Sequence, residues 1–270
     1  MHVGRRPATA LAIPTAPQPH ATTAAELSGG AAGEIRRIRG GLAGGSRTVG
    51  AGQAGGGTRG AGMKIGIIGS GHIGGTLTRR LSALGHDVTV ANSRGPQTLA
   101  ELAQETGATA STVEQAAQGS DVVVVAVPLK AVPELPADAF AGTVVVDADN
   151  YYPERDGNIA ELQDRSVSSS RWTADHLQGA RVVKAFNTIM AQHLMENGRP
   201  AGQAGRIALP VAGDDAEAKR MVMELVDSLG FDPVDGGTLD ESWRQQPGTP
   251  VYGADLDADG VRQGLAQARP

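Results

Sequence analysis

The residues that point most directly to chemistry are three glycines that follow a short apolar run. Gly69, Gly71 and Gly74 stand in the spacing G-x-G-x-x-G within MKIGIIGSGHIGG, residues 63–75. Between a strand and a helix this spacing is typical of dinucleotide sites, because it allows a tight turn, close approach of the backbone to pyrophosphate and close helix packing. The helix start adds free N–H groups and the positive end of its dipole. We therefore predict that a dinucleotide contacts Gly69, Ser70, Gly71, His72, Ile73 and Gly74; the alternative is a purely structural turn.

A second group of polar residues indicates which dinucleotide is bound. NAD sites usually carry an acidic residue at the end of the second strand, where it accepts a hydrogen bond from the ribose 2′-hydroxyl. Here Asn92, Ser93 and Arg94 follow that strand, and none of them is acidic. The guanidinium of Arg94 offers several N–H donors to a phosphate, and the Ser93 hydroxyl and Asn92 amide add two more. We therefore predict NADP(H) as the cofactor, against the alternative that Arg94 is a solvated loop residue.

Other catalytic chemistry is limited by what the sequence lacks. There is no cysteine, which excludes disulfides, thiolate nucleophiles and thiolate metal ligands. The six histidines are widely spaced, and no zinc-binding pattern occurs among them. Tyr151 and Tyr152 have no lysine in the Tyr-x-x-x-Lys spacing that short-chain dehydrogenases need. We therefore predict no catalytic side chain and no metal ligand, and we interpret His72 as a packing or helix-start residue.

The elements that must position these residues alternate between strand and helix. Apolar, β-branched runs predict strands of a parallel sheet that is covered on both faces, at residues 64–68, 87–91, 121–127, 143–147, 181–185, 207–212 and 231–234. Ile73, Leu77, Leu81 and Leu84 recur at helical spacing and predict a helix that Gly85 ends. Further helices are predicted at residues 96–106, between a cap at Asp214 or Asp215 and Gly230, and at residues 261–268.

This alternation predicts the fold class: α/β, with a Rossmann-like, doubly wound, mainly parallel sheet and a small C-terminal strand-helix-strand extension. Open sheets of this kind bind ligands at the C-terminal ends of their strands. The glycine run and residues 92–94 both stand at such ends.

The first 62 residues differ in composition from the rest. They hold seven arginines, two glutamates and no lysine, aspartate or aromatic residue. Such a segment buries too little apolar surface to offset its ordering entropy, so we expect a disordered tail at 1–62 and one NADP-binding, Rossmann-like domain at 63–270. The tail is interpreted as translation upstream of a start at Met63, as a linker, or as a targeting segment.

Charge and hydropathy bound the partners. The formal net charge is -5, which argues against nucleic acid, and the longest aliphatic run, residues 122–127, is too short to span a bilayer. The lack of cysteine suits a reducing compartment. We therefore expect a cytoplasmic protein with a small-molecule partner, without nucleic acid or membrane.

Longer motifs carry a resemblance to a known family. IGIIGSGHIGGTL, ANSRG, DVVVVAVP, VVVDADN, RVVKAFNT, LPVAGDDAEAK and LGFDPVDGG occur in this order between residue 63 and about residue 250. In order and spacing they resemble the deazaflavin (coenzyme F-420)-dependent NADP oxidoreductases and the related cytosolic domain of the six-transmembrane metalloreductases. The resemblance implies a homodimer and hydride exchange between NADP(H) and a deazaflavin.

The resemblance also implies further site residues. It places the nicotinamide side of the cofactor against Ala126, Val127 and Pro128, and the nicotinamide ribose near Asn150. It places the second substrate, the deazaflavin coenzyme F-420, near Lys184, Asn187 and Thr188. Archaeal deazaflavin enzymes of the family tend to carry histidine where Asn187 stands, and their C-terminal segment is more apolar.

Several functions therefore stay open at the level of sequence. The first is hydride transfer between NADPH and the deazaflavin. The second keeps the NADP site but changes the acceptor to a flavin with downstream metal reduction, or to a small carbonyl or imine. The third, from another class, is an NADPH-binding sensor without turnover. Trp243, Arg244 and Tyr252 are candidates for an acceptor pocket or for a dimer contact.

Overall fold

The computed structural model describes residues 62–269, and the predicted tail lies outside them apart from Gly62. Within this range one sheet has the strand order β3-β2-β1-β4-β5-β6-β7-β8. Its strands are β1 Lys64–Ile68, β2 Asp87–Ala91, β3 Thr109–Ser111, β4 Val122–Val125, β5 Val144–Asp147, β6 Arg181–Lys184, β7 Ala208–Gly213 and β8 Asp232–Asp235. All neighbouring pairs are parallel except β6 and β7.

Helices and short turns connect the strands. The α-helices are α1 His72–Ala83, α2 Ala100–Thr106, α3 Val113–Gln118, α4 Pro153–Asp156, α5 Ala160–Gln163, α6 Ser169–His176, α7 Ala191–Glu196, α8 Ala216–Ser228 and α9 Ala258–Gln267. Turns of 3-10 helix span Pro96–Leu99, Leu129–Glu134, Ala137–Phe140 and Asp240–Gln245. The predicted α/β fold class is therefore confirmed, including the β7-α8-β8 extension.

The central strands are buried on both faces, as their valine runs predict. In β4 the side chains of Val122 and Val124 belong to one hydrophobic cluster, whereas Val123 and Val125 belong to another. Since successive side chains of a strand point to opposite faces, these clusters lie on the two sides of the sheet. Leu77 of α1 and Val222 of α8 pack in the first cluster. The sheet is thus covered by helices on both sides, which leaves the strand ends for a site.

Helix α1 differs from its prediction at the last turn. Leu77 and Leu81 are fully buried, but Leu84 is 47% exposed and lies one residue beyond the helix end. Gly85 follows with a φ of 88°, the left-handed conformation in which helices often end. The apolar face therefore ends one turn earlier than the leucine spacing predicts.

The cap of helix α8 is one of the two predicted aspartates. Asp215, not Asp214, is the N-cap, and its side chain accepts a hydrogen bond from the backbone N–H of Ala218 at 2.8 Å. The carboxylate of Asp214 instead accepts from the Leu239 backbone N–H at 2.9 Å and pairs with Arg171 at 2.6 Å. Asp214 therefore ties the start of α8 to the C-terminal segment, which is the stretch between β8 and α9 at residues 236–257.

Several short elements have no counterpart in the predictions. Strand β3 has three residues, and α3 begins with a capping box in which Thr112 and Gln115 bond each other's backbone. Helices α4 to α7 have four to eight residues each. Such lengths hold too little periodicity to stand out in sequence.

Candidate cofactor site

The glycine run forms a tight turn at the C-terminal end of β1. Gly69 has a φ of 107°, and a Cβ atom there would lie 2.1 Å from the carbonyl oxygen of Ala126. A Cβ atom on Gly74 would lie 1.9 Å from the carbonyl oxygen of Gly69. Any larger side chain at either position would push α1 or the end of β4 away. The two glycines therefore bring the helix start against the strand ends.

The middle glycine faces open space. A Cβ atom on Gly71 would meet no atom within 4 Å, and Gly71 caps α1 without any side-chain hydrogen bond. The first turn of α1 holds no acidic residue, and the first N–H groups of a helix have no partner within it. His72 is exposed at this turn and Ile73 is half-buried. The arrangement is a cradle for an anion.

The turn after β2 is held by the side chain of Asn92, one of the three residues predicted to contact phosphate. The Asn92 amide nitrogen donates to the Ser70 and Thr98 hydroxyls at 3.1 and 3.0 Å. Its oxygen accepts from the Arg94 backbone N–H at 2.9 Å. Ser93 and Arg94 are exposed, and none of the ion pairs among residues 62–269 involves Arg94. Asn92 thus orders the loop, whereas Ser93 and Arg94 stay available to a ligand.

Two cavities meet over the strand ends. One has a volume of about 600 Å³ and is lined by Gly69, Ser70, Asn92, Ser93, Arg94 and residues 134–136. The other, of about 510 Å³, is lined by His72, Ile73, Asn150, Tyr152, Arg155, Phe186, Asn187 and Tyr252. Both are bordered by Gly71, Ala126, Val127 and Pro128. We name them the β2-side cavity and the β5-side cavity.

Most of the predicted residues are brought together by this pair of cavities. They line one or both of them: Gly69, Ser70, Gly71, His72, Ile73, Asn92, Ser93, Arg94, Ala126, Val127, Pro128, Asn150 and Asn187. Gly74 is buried behind the loop. Two exposed glutamates, Glu114 and Glu134, also line the β2-side cavity.

An amide network forms one wall of the β5-side cavity. The Asn187 side chain donates to Asn150 Oδ1 at 3.0 Å and to the Gln245 carbonyl at 2.7 Å, and it accepts from Gln245 Nε2 at 3.0 Å. Asn150 donates in turn to the Asn187 carbonyl at 3.0 Å. The Asn187 amide is therefore engaged within the protein, and its role is to fix Asn150 and the C-terminal segment.

Lys184 lies beneath the cavity, which differs from its predicted contact with a second substrate. Its side chain is fully buried, and its Nζ is 3.2 Å from Asp147 Oδ2 and donates to the Asp149 carbonyl. Ser170 donates to the same Asp147 oxygen at 2.6 Å. Thr188 is also buried and does not line either cavity; its carbonyl accepts from the Gly253 N–H at 2.9 Å. Both residues support the cavity floor.

Asp149 is the second buried acid of this region. Its Oδ1 accepts from the Val127 backbone N–H at 2.8 Å, whereas Oδ2 is buried without a partner among the described residues. Burial raises the pKa of the Asp149 carboxyl well above its usual range, and the nearby Asp147 raises it further, against the opposing effect of Lys184. The carboxyl therefore favours its neutral form. Its hydrogen bond holds the end of β4 to the end of β5.

The backbone of Phe186 is in an unusual conformation. Its φ is 62° and its ring is buried against the β5-side cavity. A bulky residue in the left-handed region is uncommon and costs roughly 1–3 kcal/mol, and such strain clusters at ligand sites. The conformation turns the chain at the end of β6 so that Asn187 reaches Asn150.

Comparison with known proteins agrees with this geometry. Residues 64–151 match the family described as NADP oxidoreductase coenzyme F420-dependent. A hypothetical protein from Sinorhizobium meliloti of known structure is 36% identical, with a TM-score of 0.63 over 72% of this chain and 95% of that one. A proposed F420-dependent NADP reductase from Arthrobacter sp. is 29% identical, with a TM-score of 0.57 over 66% of this chain and 86% of that one.

The chain is therefore related to this family of NADP oxidoreductases. The metalloreductase STEAP3 of Rattus norvegicus is 34% identical over 178 residues, which make up 65% of this chain and 34% of that protein. The chain spans less than half the length of the curated relatives that it matches.

The family match ends before the residues that complete the β5-side cavity. It covers β1 to the residue after Asn150, whereas Tyr152, Arg155, Phe186, Gln245 and Tyr252 follow it. Sequence reasoning assigned no site role to Arg155 or Gln245, and it excluded Tyr152 as a short-chain dehydrogenase tyrosine. Only the positions of these residues after predicted strands gave a signal. The NADP oxidoreductase match therefore covers the β2-side cavity better than the β5-side cavity.

Across residues 62–269 no group of three or more histidine, aspartate or glutamate side chains is arranged to hold a metal ion. No helix in the same range is long and apolar enough to cross a membrane.

Proposed function

We propose that the chain is an NADPH-dependent oxidoreductase that transfers hydride between NADP(H) and the deazaflavin coenzyme F-420 in one cleft. The observation that carries the proposal is the meeting of the two cavities at Gly71 and residues 126–128. The β2-side cavity has the exposed donors Ser93 and Arg94 for a phosphorylated adenosine, and the β5-side cavity has a volume of about 510 Å³ in which the nicotinamide and the acceptor would meet. The family match supports the cofactor.

The residues fit the extended shape of NADP(H). Gly71 and the uncapped start of α1 would hold the pyrophosphate, because open space and free N–H groups face it. Ser93 and Arg94 would hold the 2′-phosphate, and Asn150 would lie near the nicotinamide ribose. When bound, the nicotinamide supplies the hydride, so the protein mainly provides position and a dry surface.

The acceptor side is built to position rings rather than to react with them. Phe186 and Ile189 provide apolar surface on the β5-side cavity. The Asn150–Asn187–Gln245 network fixes the polar edge of the same cavity. Holding two reactants at a fixed distance contributes much of the rate in reactions of this kind.

The cofactor part of the proposal is tested with Arg94→Ala. A hydrogen bond to a charged group contributes roughly 1.5–3 kcal/mol, so we expect the KM for NADPH to rise by about ten- to a hundredfold, with little change for NADH. Arg220→Ala is the matched control, because Arg220 is also exposed, lies on α8, pairs with Glu224 and lines neither cavity. Equal losses with NADPH and NADH would refute the 2′-phosphate contact.

The acceptor is tested by anaerobic oxidation of NADPH with the full chain. Oxidised coenzyme F-420, FMN, FAD with a ferric chelate, and a blank without acceptor are assayed separately. Rapid bleaching of the deazaflavin alone supports the proposal. NADPH binding without turnover of any acceptor contradicts it and favours an NADPH sensor.

A second candidate is reduction of a flavin and, through it, of a metal ion. The likeness to the metalloreductase STEAP3 favours this candidate. Turnover in the flavin arms alone would select it over the deazaflavin, whereas a chain that reduces only a small carbonyl or imine would contradict both. The homodimer remains a prediction. Light scattering tests it by measuring the molar mass of the purified chain in solution.

A further inference from the structure

Two tyrosines from distant parts of the chain meet at the β5-side cavity. The hydroxyls of Tyr152 and Tyr252 are in hydrogen-bond contact, although 100 residues separate them in sequence. Tyr152 follows β5, whereas Tyr252 belongs to the C-terminal segment, which the Gly253 N–H holds to the Thr188 carbonyl at 2.9 Å. Both rings are half-buried and both line the cavity.

The other titratable or charged side chains of this cavity are poorly placed to give a proton to an acceptor. Asp149 has one oxygen bonded to Val127 and the other out of reach of solvent. Arg155 is committed to Asp156 and to the Asn150 carbonyl, and a guanidinium keeps its proton. His72 stands at the first turn of α1, where the pyrophosphate is expected. The tyrosine hydroxyls remain.

Hydride transfer to an organic acceptor leaves a negative charge that needs a proton. Addition of hydride to a deazaflavin ring, or to a carbonyl, places that charge on a nitrogen or oxygen of the acceptor. The balanced reaction consumes one NADPH, one acceptor and one proton. With both ligands bound in the cavity, a side chain beside the acceptor can deliver that proton.

We propose that Tyr152 and Tyr252 form the proton-donating pair of this cavity, an inference that rests on the proposed hydride transfer. The O–H bond of the tyrosine that faces the acceptor breaks, and its proton passes to the charged nitrogen or oxygen. The phenolate then takes a proton from the hydroxyl of its partner, and solvent restores that hydroxyl. NADPH is the reductant, so electrons and protons balance.

The surroundings of Tyr152 fit this role. The guanidinium carbon of Arg155 lies 4.9 Å from the centre of the Tyr152 ring, where its charge stabilises a transient phenolate. Burial raises the pKa of Tyr152, and the contact with Tyr252 raises it further, so the hydroxyl carries its proton at neutral pH. The charged groups near it are Arg155 and Asp156, whose carboxylate accepts from the Tyr152 backbone N–H at 2.9 Å.

The test uses the three tyrosines of the chain. Tyr152→Phe and Tyr252→Phe remove the hydroxyls and keep the rings. Tyr151→Phe is the matched control, because the Tyr151 hydroxyl donates to the Gly157 carbonyl at 2.9 Å and does not line this cavity. Turnover is measured with NADPH and whichever acceptor of the panel wild type reduces. The Kd for NADPH is measured separately by fluorescence titration without acceptor.

The expected result separates turnover from binding. General acid catalysis contributes about 10²–10⁴-fold, so the more affected of the two single variants should lose kcat by that factor. The double variant should lose little more, because a relay acts as a unit. The Kd for NADPH should stay unchanged in all variants, and Tyr151→Phe should match wild type.

Two results overturn the inference in different ways. If wild type turns over an acceptor and both variants keep kcat within about threefold, where general acids contribute far more, the pair does not donate the proton although the proposed function stands. If wild type binds NADPH but reduces no acceptor, the proposed function fails, and the inference fails with it.

Discussion

The buried ion pair beneath the site gives a prediction with a calculable size. In Lys184→Met the ammonium is lost, so Asp147 keeps a buried charge and the Asp149 carbonyl loses its donor. Both side chains of the pair are 0% exposed and 3.2 Å apart. With an effective dielectric constant of about 20, that separation corresponds to roughly 5 kcal/mol of attraction.

Other contacts of Asp147 remain in the variant and partly offset the lost attraction. Asp147 keeps the hydrogen bonds from the Ser170 hydroxyl and the Asp149 N–H. Measured losses on breaking buried pairs are about 3–5 kcal/mol, which is a large share of the roughly 5–15 kcal/mol by which proteins are stable. We therefore expect Lys184→Met to lower the free energy of unfolding by about 3–4 kcal/mol.

The assay is urea unfolding of the full chain at neutral pH. Glu105→Gln is the control, because its pair with Arg79 is 38% and 51% exposed and such pairs contribute about 0–1 kcal/mol. Adding Asp147→Asn to Lys184→Met removes the unpaired charge and should recover part of the loss. A loss below about 1 kcal/mol in Lys184→Met, comparable to an exposed pair, would refute the reasoning.

Two further predictions follow from the geometry of the site. Gly71→Ala should leave the melting temperature unchanged but raise the Kd for NADPH, because its methyl group meets only the open cleft. Gly74→Ala should lower stability by about 1–3 kcal/mol, because its methyl group would strike the Gly69 carbonyl. Thermal melts and fluorescence titrations with NADPH compare the two variants. The pKa of Asp149 is raised in the folded state, so this carboxyl ionises first in the unfolded chain as pH rises above about 4. Wild type should therefore lose stability relative to Asp149→Asn with increasing pH. Urea midpoints of both proteins from acid to neutral pH measure this difference, and a difference that stays constant would contradict the raised pKa.

Much of the dinucleotide half follows from local sequence. The runs of valine and isoleucine predict β1 and β2 with their observed ends and place β4, β5 and β6 within a few residues, because strands buried on both faces carry an unbroken apolar pattern. The glycine spacing likewise predicts the turn after β1, because only glycine permits the close contacts at Gly69 and Gly74.

The β5-side cavity depends on contacts between residues that are far apart in sequence, which local patterns do not contain. Gln245 reaches Asn187 across 58 residues, and Tyr252 reaches Tyr152 across 100. Lys184 is polar and is the last residue of β6, so its sequence position is equally consistent with a ligand contact and with a buried pair with Asp147. Asp214 and Asp215 are adjacent candidates for one cap, and the Leu239 N–H that engages Asp214 comes from a distant segment.

The return of the C-terminal segment has a consequence for synthesis on the ribosome. Strands β1 to β6 hold the cofactor cradle and are complete at Lys184, so a nascent chain can fold this half early. The wall that carries Gln245 and Tyr252 emerges only after 60 to 70 further residues. A partly made chain would therefore lack one wall of the β5-side cavity, which is complete only when Gln245 and Tyr252 have reached Asn187 and Tyr152.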